Sequence, residues 1–198
     1  APINTDNHEG IPSLSADGQT IYFYMNPNNG GGIYQSDITG EKWSKPVQLP
    51  FCTSEFWESQ PSVSSDGNMI FFLSKRDKND PNNADIFYST RKRSGKWKKA
   101  KNIGTPINTR YQEASPFIHP DGKTLYFSSN GHIGMGGLDI YMSTKGDDGE
   151  WSKPINLGYP INTHGEENSL LVSTDGKLAF FASDREGGYG GLDLYQFE

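Results

Sequence analysis

The chain has 198 residues and a formal net charge of -6, and 33% of its residues are hydrophobic and 13% aromatic. This length suits one domain of ordinary size with a substantial core, and the aromatic content argues against a disordered chain. The negative charge excludes a typical nucleic-acid-binding protein, which carries a basic stripe for phosphates. No apolar run reaches the ~20 residues of a membrane helix, so we expect no insertion into a membrane.

A ten-residue unit recurs four times along the chain, and each copy begins with Glu and ends with Asp-Gly. The copies are 9–18 (EGIPSLSADG), 58–67 (ESQPSVSSDG), 113–122 (EASPFIHPDG) and 167–176 (ENSLLVSTDG). A period of roughly 50 residues is typical of proteins built from propeller-type repeats. We therefore divide the chain into approximate repeats 6–57, 58–112, 113–166 and 167–198, all within a single domain, 1–198.

Each repeat predicts four short antiparallel strands. The first strand lies in the ten-residue unit, and its Asp-Gly marks a tight turn because these residues tolerate positive φ. Two further β-prone runs follow, such as NMIFFLS and ADIFYS in the second repeat. A segment that begins at Trp43, Trp97 or Trp151 supplies the fourth strand, and the last repeat lacks it. Adjacent aromatic residues such as Phe180-Phe181 indicate sheets that are buried on both faces.

These motifs resemble the PD40 repeats of WD40-like, TolB-type β-propellers. The resemblance rests on the Ser/His-x-Asp-Gly turns, the Trp-Ser-Lys-Pro segments and two glycine-rich loops, 134–141 (GMGGLDIY) and 188–195 (GYGGLDLY). It implies an all-β propeller of four four-stranded antiparallel blades, the last of which lacks its outer strand. The four blades would form either a small closed ring or part of a larger TolB-like propeller.

The repeated glutamates are the first candidate site. In a propeller the first strand of each blade lines the central channel, so Glu9, Glu58, Glu113 and Glu167 are predicted at equivalent positions near the channel mouth. A ring of carboxylates could bind a hard cation such as Ca²⁺, and no other cofactor is expected. The alternative is that each glutamate caps backbone N–H groups or pairs with an arginine of a neighbouring blade, such as Arg76 or Arg185.

Aromatic residues form the second candidate site. In the loop before the second repeat, FCTSEFW (51–57) replaces the usual Gly-x-Pro-Ile-Asn-Thr. Phe56, Trp57 and Tyr111 are predicted on the channel face, where they would either bind a sugar or peptide or plug the channel. We interpret the basic cluster from Arg91 to Lys101 as a solvated outer hairpin.

Three aspartates recur before the third strand. Asp85, Asp139 and Asp193 precede Ile-Phe, Ile-Tyr and Leu-Tyr, and this recurrence predicts hydrogen bonds that hold the adjoining loop. The four histidines and Cys52 follow no zinc or nucleophile pattern, so no catalytic residue and no metal ligand is assigned.

The expected function is a non-catalytic binding or scaffold propeller. The resemblance to TolB-type proteins implies a bacterial cell-envelope setting, either periplasmic or extracellular and associated with the outer membrane. It also implies a protein, peptide or cell-wall glycan as the partner. Two alternatives stay open: a glycan-active hydrolase or lyase or the propeller portion of a peptidase, and a structural oligomerisation element. An incomplete ring would favour a homodimer.

Overall fold

The computed structural model describes residues 2–6, 8–27, 31–53, 55–76 and 83–198. Within these ranges the regular elements are all β-strands, and they form four antiparallel sheets. No helix among these residues is long and apolar enough to cross a membrane. Short antiparallel sheets in this strand order are the blades of a β-propeller, which confirms the predicted fold class.

Residues 1–102 form one compact unit that contains two sheets. The first sheet has the order β1-β2-β3-β4, with β5 also paired to β3, and the second has the order β6-β7-β8-β9. The strands are β1 (His8–Leu14), β2 (Thr20–Asn26), β3 (Gly32–Thr39), β4 (Lys42–Trp43), β5 (Val47–Gln48), β6 (Glu58–Val63), β7 (Met69–Ser74), β8 (Asp85–Thr90) and β9 (Lys101–Asn102).

Residues 103–198 form a second compact unit, also with two sheets. The third sheet has the order β10-β11-β12-β13 and the fourth has the order β14-β15-β16. The strands are β10 (Glu113–Ile118), β11 (Thr124–Ser129), β12 (Asp139–Thr144), β13 (Ile155–Asn156), β14 (Glu167–Val172), β15 (Ala179–Ser183) and β16 (Asp193–Phe197). The fourth sheet has three strands, as the missing Trp segment predicted.

The Asp-Gly turns join the first and second strands of every sheet. In the first sheet Asp17 accepts hydrogen bonds from the Ser15 hydroxyl (2.6 Å) and the Gln19 N–H (3.0 Å), and Gly18 has a φ of 68°. The Ser15 hydroxyl is the main reason that the pKa of Asp17 lies below its usual value. The turn is thus closed by side chains of the repeat itself.

A bulge interrupts the first strand of every sheet at the same place. The residue two positions after the repeated glutamate has a positive φ in each sheet: Ile11, Gln60, Ser115 and Ser169. The pairing register with the second strand shifts around it. Positive φ is uncommon for residues with a side chain, and a β-branched residue adopts it least readily. Because three residue types share it, the bulge belongs to the repeat rather than to any one side chain.

The core of each unit lies between its two sheets. In the first unit Tyr22 and Ile33 of the first sheet pack with Ile70, Phe72 and Phe87 of the second. In the second unit Ile140 of the third sheet packs with Leu170 and Phe181 of the fourth. Apolar side chains are therefore buried between stacked sheets, which is the packing that adjacent aromatic residues predicted.

The outer strand is shorter than the sequence predicted. Trp97 and Trp151 form only isolated bridges, to Arg91 and Lys145, and β9 and β13 follow as separate two-residue strands. In the third sheet Pro154 lies in the gap, where it can donate no ladder hydrogen bond. The Ser152 hydroxyl accepts the Thr144 N–H (3.0 Å) in place of a continued ladder.

Candidate functional site

The leading loop, defined as the loop before the first strand of each sheet, is tied to the repeated glutamate. Glu167 is fully buried, and it accepts hydrogen bonds from the Thr163 N–H (2.8 Å), the Thr163 hydroxyl (2.6 Å) and the Ser183 hydroxyl (2.7 Å). Glu113 is also fully buried. It accepts the same three bonds from the Thr109 N–H (3.1 Å), the Thr109 hydroxyl (2.8 Å) and the Ser129 hydroxyl (2.9 Å). Both carboxylates therefore hold the backbone of the leading loop against the start of their own sheet.

An arginine adds to this arrangement in two sheets. Arg185 lies 3.6 Å from Glu167, donates to the Ile161 carbonyl (2.6 Å) and stacks on Phe181 and Tyr195. Arg76 lies 2.8 Å from Glu58 and stacks on Phe72 and Phe87 in the same way. We expected such arginines from a neighbouring blade. Each follows the second strand of the sheet that holds its glutamate, because that strand ends beside the first.

A histidine takes the arginine's place in the third sheet. His132 Nε2 lies 2.9 Å from the Ile107 carbonyl, and its ring contacts Phe127 and Tyr141. These partners match those of Arg185 in the fourth sheet. The imidazole therefore fills the space of the guanidinium and holds the same loop carbonyl.

Glu58 has a different environment from Glu113 and Glu167. It is fully buried, with Arg76 as its ion-pair partner and Cys52 beside it. Burial raises the pKa of the Glu58 carboxyl to about 7, although the positive charge of Arg76 opposes the rise. Burial and the nearby Glu58 also raise the pKa of the Cys52 thiol to about 12. A thiol with this pKa stays protonated at neutral pH and is a poor nucleophile.

Glu9 is the least enclosed of the four glutamates. It is half-buried and accepts a hydrogen bond from the Thr5 hydroxyl, four residues earlier, as Glu113 and Glu167 do from their threonines. Among the residues that the structure describes, no group of three or more His, Cys, Asp or Glu side chains is placed to hold a metal ion. The predicted calcium site therefore gains no support from the geometry of the glutamates.

The glycine-rich loops between the second and third strands are held by aspartates. Asp139 accepts a hydrogen bond from the Met135 N–H, and Asp193 accepts one from the Tyr189 N–H (2.7 Å). A Cβ atom at Gly134 or Gly188 would collide with the carboxylate of Asp139 or Asp193, respectively. In the second sheet Asp85 accepts from the Asn102 amide (2.7 Å), as Asp139 does from the Asn156 amide (3.3 Å). The loop-holding role predicted for these aspartates thus has a direct geometric basis at Asp139 and Asp193.

Each of these loops displays one side chain of variable type. Met135 is 49% exposed, and Tyr189 at the equivalent position is fully exposed. Their backbone is fixed by the aspartate, so the side chain projects from a rigid base. Ile133 and Tyr159 of the same unit are exposed as well. The sequence analysis missed all four, although a large apolar residue inside a glycine-rich repeat loop is a signal that could have found them.

The glycine-rich loop and the following leading loop lie at one end of the second unit, here called the loop end. The Gly137 N–H donates to the Gly165 carbonyl (2.8 Å). A Cβ atom on Gly136 would collide with the backbone of residues 163–165. These glycines therefore allow close approach of two backbones.

The aromatic candidates lie in two different units. In the first unit Trp57 is half-buried, 6.3 Å from the Tyr24 ring and 5.8 Å from the Lys75 ammonium group, and Phe56 is also half-buried. In the second unit Tyr111 is 47% exposed, and its ring lies 4.9 Å from the Arg110 guanidinium, which also donates to the Tyr111 hydroxyl (2.9 Å). Tyr111 is thus an accessible side chain held in a fixed orientation.

Solved structures share this fold at low sequence identity. TolB from Acinetobacter baumannii matches with a TM-score of 0.62 and 17% identity, over 95% of this chain and 41% of its own. A putative TolB from Agrobacterium tumefaciens matches with a TM-score of 0.63 and 19% identity, over 97% of this chain and 58% of its own. The chain therefore has a TolB-like propeller fold and spans about half the length of these neighbours.

The periplasmic gluconolactonase PpgL from Pseudomonas aeruginosa also shares the fold, with a TM-score of 0.53 and 12% identity over 93% of this chain and 55% of its own. No protein-family model matches the chain. No curated protein matches it either. The similarity thus shows the fold, which supports several activities in other proteins.

Proposed function

We propose that this chain is a non-catalytic binding propeller of the PD40 type in the bacterial cell envelope, with a protein or peptide as its partner. The observation that carries the proposal is the construction of the loop end. The polar residues that recur in the repeats form hydrogen bonds with the loops next to their own sheet, as Glu113, Asp139 and Glu167 do. Large apolar or aromatic side chains are exposed at the same end, beside polar or charged ones such as His164 and Glu166, and they differ between repeats. This arrangement favours recognition by surface contact over acid–base chemistry.

The exposed side chains indicate the chemistry of the partner. Met135, Tyr159 and Tyr189 offer apolar and aromatic surface, and Tyr111 adds a hydroxyl and a neighbouring guanidinium. Aromatic side chains and methionine are enriched at the centres of protein interfaces. An apolar peptide segment or protein surface fits them better than a highly hydroxylated glycan does. The periplasmic neighbour and the two TolB neighbours support an envelope location.

A peptide library and a glycan array, both applied to the intact chain, test the proposal. We expect peptide ligands, and we expect the double variant Met135→Ser, Tyr189→Ser to bind them at least about tenfold more weakly, since exposed anchors of this type dominate interfaces. Ile155→Ser is the matched control because Ile155 is exposed but lies on β13, outside the loops. Equal loss in the control, or cleavage of a bound peptide or glycan, would contradict a non-catalytic site at these loops.

A further inference from the structure

The outer hairpin of the second sheet, residues 90–101, carries an unusual density of positive charge. It runs from the end of β8 through Gly95 to Trp97 and on to β9. Six cationic side chains of this hairpin are exposed: Lys92, Arg93, Lys96, Lys98, Lys99 and Lys101. The ion pairs found among the described residues involve none of the six. Their charge is therefore not neutralised by an ion pair within the part of the chain that the structure describes.

The seventh cation of the hairpin has a structural role. Arg91 is half-buried, donates to the Tyr22 hydroxyl (2.9 Å) and stacks on the Trp97 ring at 4.6 Å. The Trp97 ring in turn packs edge-on against Tyr22 and Phe51. One cation thus anchors the hairpin to the core, and the other six are not needed for that contact.

The third sheet provides an internal comparison, because its outer hairpin has the same backbone. The Lys92 N–H donates to the Lys96 carbonyl (2.8 Å), as the Gly146 N–H donates to the Glu150 carbonyl (2.8 Å). Gly95 and Gly149 share a positive φ of 78° and 87°, and each N–H closes the same turn. The two hairpins therefore align residue by residue through Trp97 and Trp151.

The charges of the two hairpins are opposite at two aligned positions. Asp147 stands where the second sheet has Arg93, and Glu150 stands where it has Lys96. Asp147 also pairs with Lys123 at 3.2 Å. Because one backbone forms with either set of charges, the fold does not require the basic set. Binding to a partner therefore explains the basic side chains better than a role in folding does.

We propose that this basic hairpin is a docking surface for an anionic lipid bilayer. The six exposed cations lie in the turn of the hairpin and in the segment that follows it, from Lys92 to Lys101. They are therefore spread along the hairpin. Five of the six are lysines, whose ammonium groups are hydrated point charges, and Arg91 is already engaged with Tyr22 and Trp97. Such a field suits the mobile phosphates of a headgroup layer, to which clusters of four to eight basic residues bind.

Co-sedimentation of the intact chain with lipid vesicles tests the proposal. The probes are vesicles of phosphatidylcholine alone and vesicles with about a third phosphatidylglycerol, at low and at high NaCl. We expect binding to the anionic vesicles only, with loss at high salt. The double variant Arg93→Asp, Lys96→Glu should weaken this binding at least about tenfold, because each basic residue near an anionic surface contributes to the binding free energy. It should also fold, because the third sheet carries these residues in the same hairpin.

A second double variant controls for net charge. Lys42→Glu, Lys45→Glu removes two exposed lysines from the outer hairpin of the first sheet, with the same change in net charge. It should keep most of the binding, and so should the charge-preserving variant Arg93→Lys, Lys96→Arg. Equal binding to neutral vesicles, or equal loss in both charge-reversal variants, would overturn the proposal. Binding to polyphosphate or an oligonucleotide but not to anionic vesicles would overturn the assignment to a bilayer. The double variant Met135→Ser, Tyr189→Ser should leave vesicle binding unchanged. The two proposals, peptide binding at the loop end and vesicle binding at the basic hairpin, are therefore tested independently.

Discussion

The leading loops of the second and fourth sheets meet the same structural demand with different chemistry. In the fourth sheet the loop binds Glu167 through Thr163 and Ser183, and Arg185 is an additional partner. In the second sheet Glu58 depends on Arg76 and lies beside the Cys52 thiol. Burial raises the pKa of the Glu58 carboxyl to about 7, although the positive charge of Arg76 opposes the rise. The stability of the second sheet is therefore expected to depend on pH near neutrality.

Cys52 illustrates the same contrast. Asn162 is fully buried and accepts the Ile140 N–H (2.8 Å), and its amide donates to the Ile140 carbonyl (2.8 Å) and to Asn156 (2.8 Å). In the first unit the Ile33 N–H, at the equivalent strand position, donates to the Cys52 sulfur at 3.4 Å. A thiol replaces an amide, and one weak hydrogen bond to the strand backbone replaces the two that Asn162 makes with Ile140. The charge of the two units also differs, since residues 1–102 contain 12 Lys and Arg and 11 Asp and Glu, whereas residues 103–198 contain 6 and 13.

The largest effect is expected from Glu167→Ala. The substitution leaves the Thr163 N–H and two hydroxyls without their acceptor in the interior and removes the anion beside Arg185. This costs about 3 to 5 kcal/mol of unfolding free energy. Urea unfolding followed by circular dichroism measures it. Glu167→Gln retains an acceptor oxygen and should lose less. A cost below that of Glu58→Ala would contradict the difference drawn between the two loops.

The pH dependence of Glu58 ranks second. Its pKa is raised from 4.5 to about 7 in the folded chain, so the folded state holds the proton more tightly than the unfolded state. The stability from this group is fully present below pH 4.5 and is lost as the pH rises through about 7. Between pH 5 and pH 8 the wild-type chain should lose about 2 to 3 kcal/mol relative to Glu58→Gln. Parallel stability curves for the two proteins in urea titrations would show that the carboxyl does not titrate in this range.

The smallest effect is expected for the difference in stability between Asn162→Ala and Cys52→Ala. Removal of the Asn162 amide leaves the buried Ile140 N–H unpaired and the Ile140 carbonyl with only the Leu157 N–H as a donor, at a cost of about 2 to 3 kcal/mol. Loss of the weak sulfur contact of Cys52 costs about 1 kcal/mol or less. Thermal melts of the two variants measure the difference in melting temperature. Ser65→Ala, at an exposed position beside the Asp66-Gly67 turn, is the control for a substitution outside the core. Equal melting temperatures for Asn162→Ala and Cys52→Ala would remove the distinction between thiol and amide.

The sequence could predict the strands, the Asp-Gly turns and the three-stranded last sheet, because these features follow from local turn chemistry and from repetition. It could not predict the bulge, since Ile11 and Gln60 have no preference for positive φ and adopt it only in the context of the sheet. The burial of Glu113 could not be predicted from the sequence either. Its partners Thr109 and Ser129 lie in separate elements, so the contact exists only after the sheet has formed.

The candidate site was less predictable than the fold. Trp57 and Tyr111 were found because they interrupt the repeat, but Trp57 is half-buried against Tyr24. Met135 and Tyr189 were missed because their loops were considered as regular parts of the repeat. The Asp139 and Asp193 carboxylates fix those loops, and the neighbouring position is then free to vary. A search for variable residues between fixed ones identifies such positions better than a search for broken repeats.

The aspartate-held loops have a consequence for how this protein can change over generations. Gly134 and Asp139 fix the loop from within, so a mutation at Met135 alters the surface at almost no cost to folding. Substitutions at Met135 and at Tyr189 can therefore accumulate during evolution without compensating mutations elsewhere in the chain. A combinatorial library randomised at these two codons should remain largely folded, which makes the loops a scaffold for selecting new binders.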